Sequence, residues 1–425
     1  MNDHKESLPL DGDRRRNVFR GMIVQAAIAV LISNAGGFMP RAEAGDNPVK
    51  NVVYVESNDP AGNAIFAYKR MDDGSLAPLP GSPFPTGGLG ITPTFNLGPF
   101  DSDQNIITNA DRSLLFAVNG GSDTVAVFKI HKDGSLMPVN GSPFSSGGSN
   151  PVSVGLSDDT LCVVNKDNNP THPGLFLPSY TTFRVTQEGR LIAVPKSTVY
   201  GSLGSDPTQA QISPDGGLMF DANFMGGLLR SFAIRESGRL DPRAEIPLPP
   251  AVFANTGKPP WPLGLAVHPK KPLLYVGFVT INQVGIYHYS KAGALRFLRT
   301  VPNSGKAVCW LLLNKDGSRL YGSNTGDSSI SVYDLTKDAS DPIEIQKVSL
   351  HVPTGSNASA FQFGLDPSGR FLHVVSQQAS PNATVQANAL YTLHVGPDGK
   401  LTEVLSSPVI LPVPDTVRPQ GVVAF

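Results

Sequence analysis

One unit recurs along this chain, and its period excludes most folds at once. Ser75-Leu-Ala-Pro-Leu-Pro-Gly-Ser-Pro-Phe84 returns as Ser135-Leu-Met-Pro-Val-Asn-Gly-Ser-Pro-Phe144. Each copy follows an alternating strand and an acidic-Gly turn, Ile65–Tyr68 with Asp73-Gly74 and Val125–Phe128 with Asp133-Gly134. Looser copies follow: Thr182–Val185 before Glu188-Gly189, Leu229–Phe232 before Ser237-Gly238, Gly285–His288 before Ala292-Gly293, and Leu390–Leu393 before Asp398-Gly399. A further unit, Ile330–Tyr333, is followed by an irregular Lys337-Asp338-Ala339 turn. From Gly74 to Gly399 the turn advances six steps in 325 residues, about 54 per step. A second set of turns keeps pace: Asp111-Arg112, Pro214–Gly216, Pro269–Lys271, Lys315–Gly317 and Pro367–Gly369. Each unit is therefore four short antiparallel strands, A to D.

Four-stranded units at this spacing predict an all-β, seven-bladed β-propeller, in which radial repetition buries each sheet between its neighbours. The repeat opens at a B strand, Asn51–Val55, and the last residues, Arg418–Phe425, read as an A strand. The C-terminal strand is thus expected to complete blade 1 and close the ring, making residues 45–425 one domain. Residues 1–44 read as an address. Arg15-Arg16-x-Val18-Phe19-Arg20 precedes an apolar run from Gly21 to about Ile32, and Ala42-Glu43-Ala44 supplies a small-x-small cleavage pattern. The run is shorter than the roughly 20 residues a membrane-spanning helix needs. The arginine pair, with Arg41, resembles a twin-arginine export signal, so a periplasmic or extracellular monomer is expected, without a membrane span.

Composition narrows the function classes. Lys plus Arg number 34 against 35 Asp plus Glu, leaving a net charge of −1, which argues against nucleic acid as a partner. The two cysteines, Cys162 and Cys309, lie in apolar strands and read as buried, inert thiols. No zinc, nucleotide or nucleophile-elbow motif occurs. The sequence calls for no cofactor, although backbone carbonyls of a channel could hold a structural calcium ion.

Strand order assigns the loops. The A–B and C–D turns share one face, where His268 reads as a turn residue. The D–A and B–C connections share the other face, which carries every long insertion: 89–103, 165–179, 249–262 and 376–388. Long loops on a regular scaffold carry function, so any site is expected at this mouth of the central channel. Asn119, Asn165, Asn223 and Asn324 recur at B-strand ends and read as turn residues tolerating left-handed backbone.

The acidic-Gly-Ser-Leu turns, the Gly-Ser-Pro-Phe repeats, Gly264–Pro269 and Arg418-Pro-Gln-Gly421 together resemble the seven-bladed lactonase-like propellers. That family includes bacterial 6-phosphogluconolactonase and fungal carboxymuconate cyclase, and the resemblance spans about residues 50–425. It implies a hydrolase acting on a lactone. The family's Arg and channel His fall here on Leu263 and Gly264, and its Glu on Val279. Carrying that alignment round the ring puts Gln104/Asn105, Val152/Ser153, Thr208/Gln209, Cys309/Trp310, Phe361/Gln362 and Gln420/Gly421 at the strand-A mouth. Such a ring offers hydrogen bonds for a small lactone or carbohydrate, chiefly from Gln104, Asn105, Gln209, Trp310, Gln362 and Gln420. It offers no general base. Ionisable groups must then come from the loops: Asp101, Asp103, Lys166, Asp167, His172 and Arg418. Asp103 or His172 could activate water, and Lys166 or Arg418 could stabilise the oxyanion. Two alternatives remain: an Arg418–Asp103 salt bridge that only pins ring closure, and a propeller that binds a ligand or protein without turnover. A muconate-type cyclase fits less well, since its anionic substrate would want several channel cations.

Overall fold

The computed structural model describes residues 50–91, 102–169, 177–253, 261–378 and 385–425. The proposed address, Asp101 and His172 lie outside these residues, as do parts of the four insertions. The described strands form seven separate antiparallel sheets. Their inner strands contact one another in a closed circle, including blade 7 against blade 1. The seven-bladed propeller is therefore as expected. Blade 1 is Gln420–Ala424, Val52–Glu56, Ala64–Arg70 and Leu76–Pro78 from the channel outward, so the C-terminal strand does close the ring. Among the described residues, no helix is long and apolar enough to cross a membrane.

Local chemistry explains the repeated motifs. In the Asp-Gly-Ser turns, Asp73 and Asp133 each accept the amide and hydroxyl of the serine two residues on. The intervening Gly74 and Gly134 take φ of 86° and 85°, open to glycine without steric cost. The carbonyl of such a turn then serves the neighbouring blade. Tyr54 donates to Gly134 O at 2.7 Å, Thr182 to Gly238 O at 2.7 Å and Ser231 to Gly293 O at 2.5 Å. The irregular turn of blade 6 keeps this contact, with Tyr275 donating to Ala339 O at 2.7 Å. What the neighbour requires is a carbonyl, which any residue supplies.

A serine step, Gly-Ser-Pro in blades 1 and 2, interrupts strand D in four blades. Ser82, Ser142, Ser197 and Ser407 accept strand C amides from Ala67, Val127, Thr182 and Thr392 at 2.9, 2.9, 3.3 and 3.2 Å. In blades 4 to 6 strand D runs unbroken over Leu240–Pro247, Leu295–Pro302 and Ile343–Ser349, with a bulge in its pairing. Strands B and C of every blade are largely buried and supply most of the core between blades. Cys162 and Cys309 are both buried, and burial pushes the Cys162 thiol up to about 12.

The four asparagines correct one expectation. None of Asn119, Asn165, Asn223 and Asn324 has left-handed backbone. They end buried B strands and fasten the adjoining loops by side-chain bonds. Asn119 Oδ1 accepts from Asn63 at 2.9 Å and Thr86 at 2.7 Å, and Asn324 Oδ1 accepts from Asn303 at 2.8 Å. A glycine of the preceding loop lies against three of them. A Cβ on Gly88, Gly148 or Gly305 would fall 2.3, 2.6 or 2.0 Å from the amide of Asn119, Asn165 or Asn324. The side-chain amide needs the space that glycine leaves.

Candidate functional site

Strand A enters each blade from the loop-rich face, and its first residues are irregular. In five blades the pairing of strands A and B shifts register there: at Pro151/Ser153, Pro262/Leu265, Val308/Leu311 and Ala360/Phe363, and opposite Val55/Glu56. Val152, Leu263/Gly264, Cys309/Trp310, Phe361/Gln362 and Gly421 fall within these bulges. A bulge re-aims side chains locally and is over-represented beside active sites. The positions aligned from sequence thus coincide with the irregular rim of the channel.

The structure brings the expected amides together, and it spends them largely on one another. Gln209 Nε2 donates to Gln104 Oε1 at 2.9 Å, to Gln211 Oε1 at 3.1 Å and to Leu265 O at 3.1 Å. Its Oε1 accepts the Leu265 amide at 2.7 Å. Gln362 Nε2 donates to Ser102 O at 2.6 Å and Asn105 Oδ1 at 3.2 Å, and its Oε1 accepts from Gly421 N at 3.3 Å. Asn105 in turn donates to Val152 O at 2.6 Å. Gln104 and Gln209 belong to blades 2 and 4, and Gln362 and Asn105 to blades 7 and 2, so these bonds span an intervening blade. Asn105, Gln209, Gln362 and Gln420 are buried, whereas Gln104 and Gln211 remain partly exposed. Trp310 is buried with its ring 6.1 Å from that of Phe361, and its indole Nε1 has no partner among the described residues.

Of the loop candidates, Asp103 is half-buried at the start of blade 2. Burial pushes its carboxyl up to about 6, against the downward pull of the Gln104 amide, which donates to Oδ1 at 2.7 Å. Lys166 is buried and paired with Asp206 at 3.0 Å. Arg418 is buried, and its Nη1 donates to the carbonyls of Asp415 at 2.7 Å and Val417 at 3.0 Å. The Arg418–Asp103 salt bridge does not form, because those carbonyls hold the guanidinium instead. Arg418 Nε has no acceptor among the described residues. His268 is a turn residue, as read, with Nδ1 accepting the amides of Lys270 and Lys271 at 3.0 and 3.1 Å.

Two carboxyls escaped sequence reasoning because both sit inside apolar B strands. Glu56 lies behind Gln420, fully buried, accepting from Asn63 at 2.6 Å and Gln420 at 3.4 Å. Burial holds it well above the usual carboxylate range. Asp221, in strand B of blade 4, is pushed up to about 6 by burial, although it accepts the phenol of Tyr180 and the amides of Thr208 and Gln209. No group of three or more His, Cys, Asp or Glu able to hold a metal occurs among the described residues.

The fold is a seven-bladed β-propeller whose channel mouth is lined by side-chain amides. Residues 249–379 match the family described as lactonase, 7-bladed beta-propeller. Solved structures agree on the fold. A protein of Bacteroides uniformis described as a "putative 6-phosphogluconolactonase" superposes with TM-score 0.65 at 14% identity, over 87% of this chain and 98% of that one. The periplasmic gluconolactonase of Pseudomonas aeruginosa gives 0.63 at 18% identity, over 87% and 99%. No curated protein matches the sequence significantly.

Proposed function

We propose that the chain hydrolyses a sugar-type lactone at the loop-rich mouth of its channel. The observation that carries this reading is Asp103, a half-buried carboxyl near pH 6 that has no cationic partner among the described residues. At neutral pH it is largely ionised and basic enough to take a proton from water. The hydroxide oxygen bonds to the lactone carbonyl, the ring C–O bond breaks, and the proton passes to the leaving alkoxide, giving a hydroxy acid. Arg418, a buried cation with an unspent Nε, suits the transient oxyanion better than Lys166, which Asp206 already neutralises. Gln104, partly exposed and bonded among the described residues through Oε1, keeps its Nε2 for a sugar hydroxyl. The gluconolactonase name of the P. aeruginosa relative points to the same substrate class.

Asp103→Asn is expected to lower kcat/KM for glucono-lactone by roughly 10²-fold. The base works as carboxylate, so wild-type kcat/KM should rise with pH and level off above about 6, after subtraction of spontaneous hydrolysis. Full activity in Asp103→Asn would move the base elsewhere, with His172→Gln the next variant. The saturation of the ring amides by one another favours a second reading, a propeller that binds without turnover. Hydrolysis no faster than the spontaneous rate would select it.

Residues 1–44 are proposed to direct export through the twin-arginine route. Replacing Arg15 and Arg16 by Lys should leave the precursor in the cytoplasm, and unimpaired export of that variant would refute the assignment.

A further inference from the structure

Strand A of blade 4 is regular only over Gln211–Ile212, so the Thr208–Gln209 step before it lacks a full ladder. A side chain completes it. Asp221 Oδ1 accepts the Gln209 amide at 3.2 Å and the Thr208 amide at 2.9 Å, which also reaches Ala222 O at 3.0 Å. Buried amides need such acceptors. Two residues before the end of strand B, where Asp221 stands, blades 2, 3, 5 and 6 carry Ala117, Val163, Val276 and Gly322. Packing alone therefore asks for a small or apolar residue, and a buried carboxylate there must be held by partners. Tyr180 of blade 3 donates to its Oδ2 at 2.6 Å. Arg230 of blade 4 donates to the Tyr180 hydroxyl at 3.0 Å and to Glu245 Oε2 at 2.7 Å.

The step that Asp221 holds is the one that meets Asp103. The Asp103 amide donates to Thr208 O at 3.3 Å, and Gln209 Nε2 donates to Gln104 Oε1 at 2.9 Å, both bonds reaching past blade 3. Val154 of blade 3 adds a third tether, its amide donating to Gln104 O at 3.0 Å. Gln104 has φ of 59°, left-handed backbone that a residue with a Cβ seldom adopts unless its surroundings hold it there. Asp103 Oδ1 accepts the amide of this same residue at 2.7 Å. The place of the carboxyl thus depends on the strained turn staying fixed.

We infer that Asp221 is a positioning residue for Asp103: its carboxylate fixes the Thr208–Gln209 step, and that step fixes the base. The inference rests on the reading of Asp103 as the base. Asp221 touches no reacting atom in this role. A base displaced by about 1 Å loses rate rather than affinity, on the order of 10²-fold, so the loss belongs in kcat.

Two substitutions separate this role from a packing role. Asp221→Val supplies the side chain that blades 3 and 5 carry and removes both acceptor oxygens, whereas Asp221→Asn keeps one oxygen for the two amides. In glucono-lactone hydrolysis by the purified protein, Asp221→Val should lower kcat at least about tenfold with KM within about twofold of wild type. Asp221→Asn should recover most of kcat, and its activity should still level off above about pH 6, since Asp103 remains the titrating base. Hydrogen exchange on the peptide over 102–106 needs no turnover. Asp221→Val should speed exchange of the Asp103 amide at least about tenfold, while strand amides of blades 6 and 7 keep wild-type rates. Unchanged kcat, unchanged exchange at Asp103, a KM that rises as kcat falls, Asp221→Asn as impaired as Asp221→Val, or exchange quickened evenly round the ring would each overturn the assignment. Loss of the pH dependence in Asp221→Asn would make Asp221 the base itself and overturn it too. No turnover in the wild type would refute lactone hydrolysis, and exchange at Asp103 would still decide whether Asp221 holds it.

Discussion

Deletion of Val422–Phe425 is expected to yield insoluble or severely destabilised protein. These residues pair Val53 with Ala424, Tyr54 with Val423 and Val55 with Val422, and Phe425 closes the ladder through bonds to Asn51 and Val52. The Phe425 ring meets Tyr54 edge-on at 5.6 Å and carries the Arg112 guanidinium at 5.3 Å. Val422, Ala424 and Phe425 are buried between blade 1 and its neighbours. Full burial of one such large apolar side chain contributes about 1.5–3 kcal/mol, against a net stability of about 5–15 kcal/mol for a domain. The deletion also exposes strand Val52–Glu56 as a free inner edge, a template for association. Soluble yield and thermal melting report the result. A truncated chain that melts within a few degrees of the parent would show that closure contributes little.

Asp366→Asn is expected to cost about 3–5 kcal/mol, the penalty for stranding one member of a buried ion pair. Arg70 and Asp366 join blades 1 and 7 at 3.3 Å, with side chains 2% and 1% exposed. Arg70 also donates to Asn51 Oδ1 at 2.6 Å and lies 4.4 Å over the Phe371 ring, yet its Nε has no acceptor among the described residues. Asp366 receives the amides of Arg370 and Phe371 and the hydroxyl of Ser368. Its charge therefore cannot be removed without leaving a guanidinium in a dry seam. His373 offers no substitute, since burial, with the Arg70 charge, drives its pKa to about 3 and keeps it neutral. Adding Arg70→Met to the Asn variant should recover much of the loss, because the uncompensated charge goes with it. Urea unfolding of the three variants is the measurement. A single variant within about 1 kcal/mol of wild type, the range of an exposed pair, would show that solvent reaches Arg70.

The repeat was legible because it rests on local chemistry. An Asp-Gly-Ser turn closes on its own backbone, and a Gly-Ser-Pro step bonds a strand within the same blade, so both recur as short strings. Their count and spacing suffice for seven blades, and the chain termini suffice for the shared first blade. The direction of strand A likewise placed the bulged rim at the loop-rich face, where Cys309/Trp310 and Phe361/Gln362 were found. The tertiary structure alone decided what those rim residues do. Gln209 meets Gln104 from 105 positions away, and Gln362 meets Asn105 from 257. Such bonds depend on which blades face each other across the channel, and no local pattern encodes that. The same holds for Glu56 and Asp221, carboxyls inside apolar strands whose partners come from a neighbouring strand or blade. Arg230 reads as one charged residue in an alternating strand until ring closure brings Tyr180 of blade 3 against it. Periodicity specifies how each sheet forms, whereas the seams and the channel mouth are set by the angle at which seven unequal sheets close on one another.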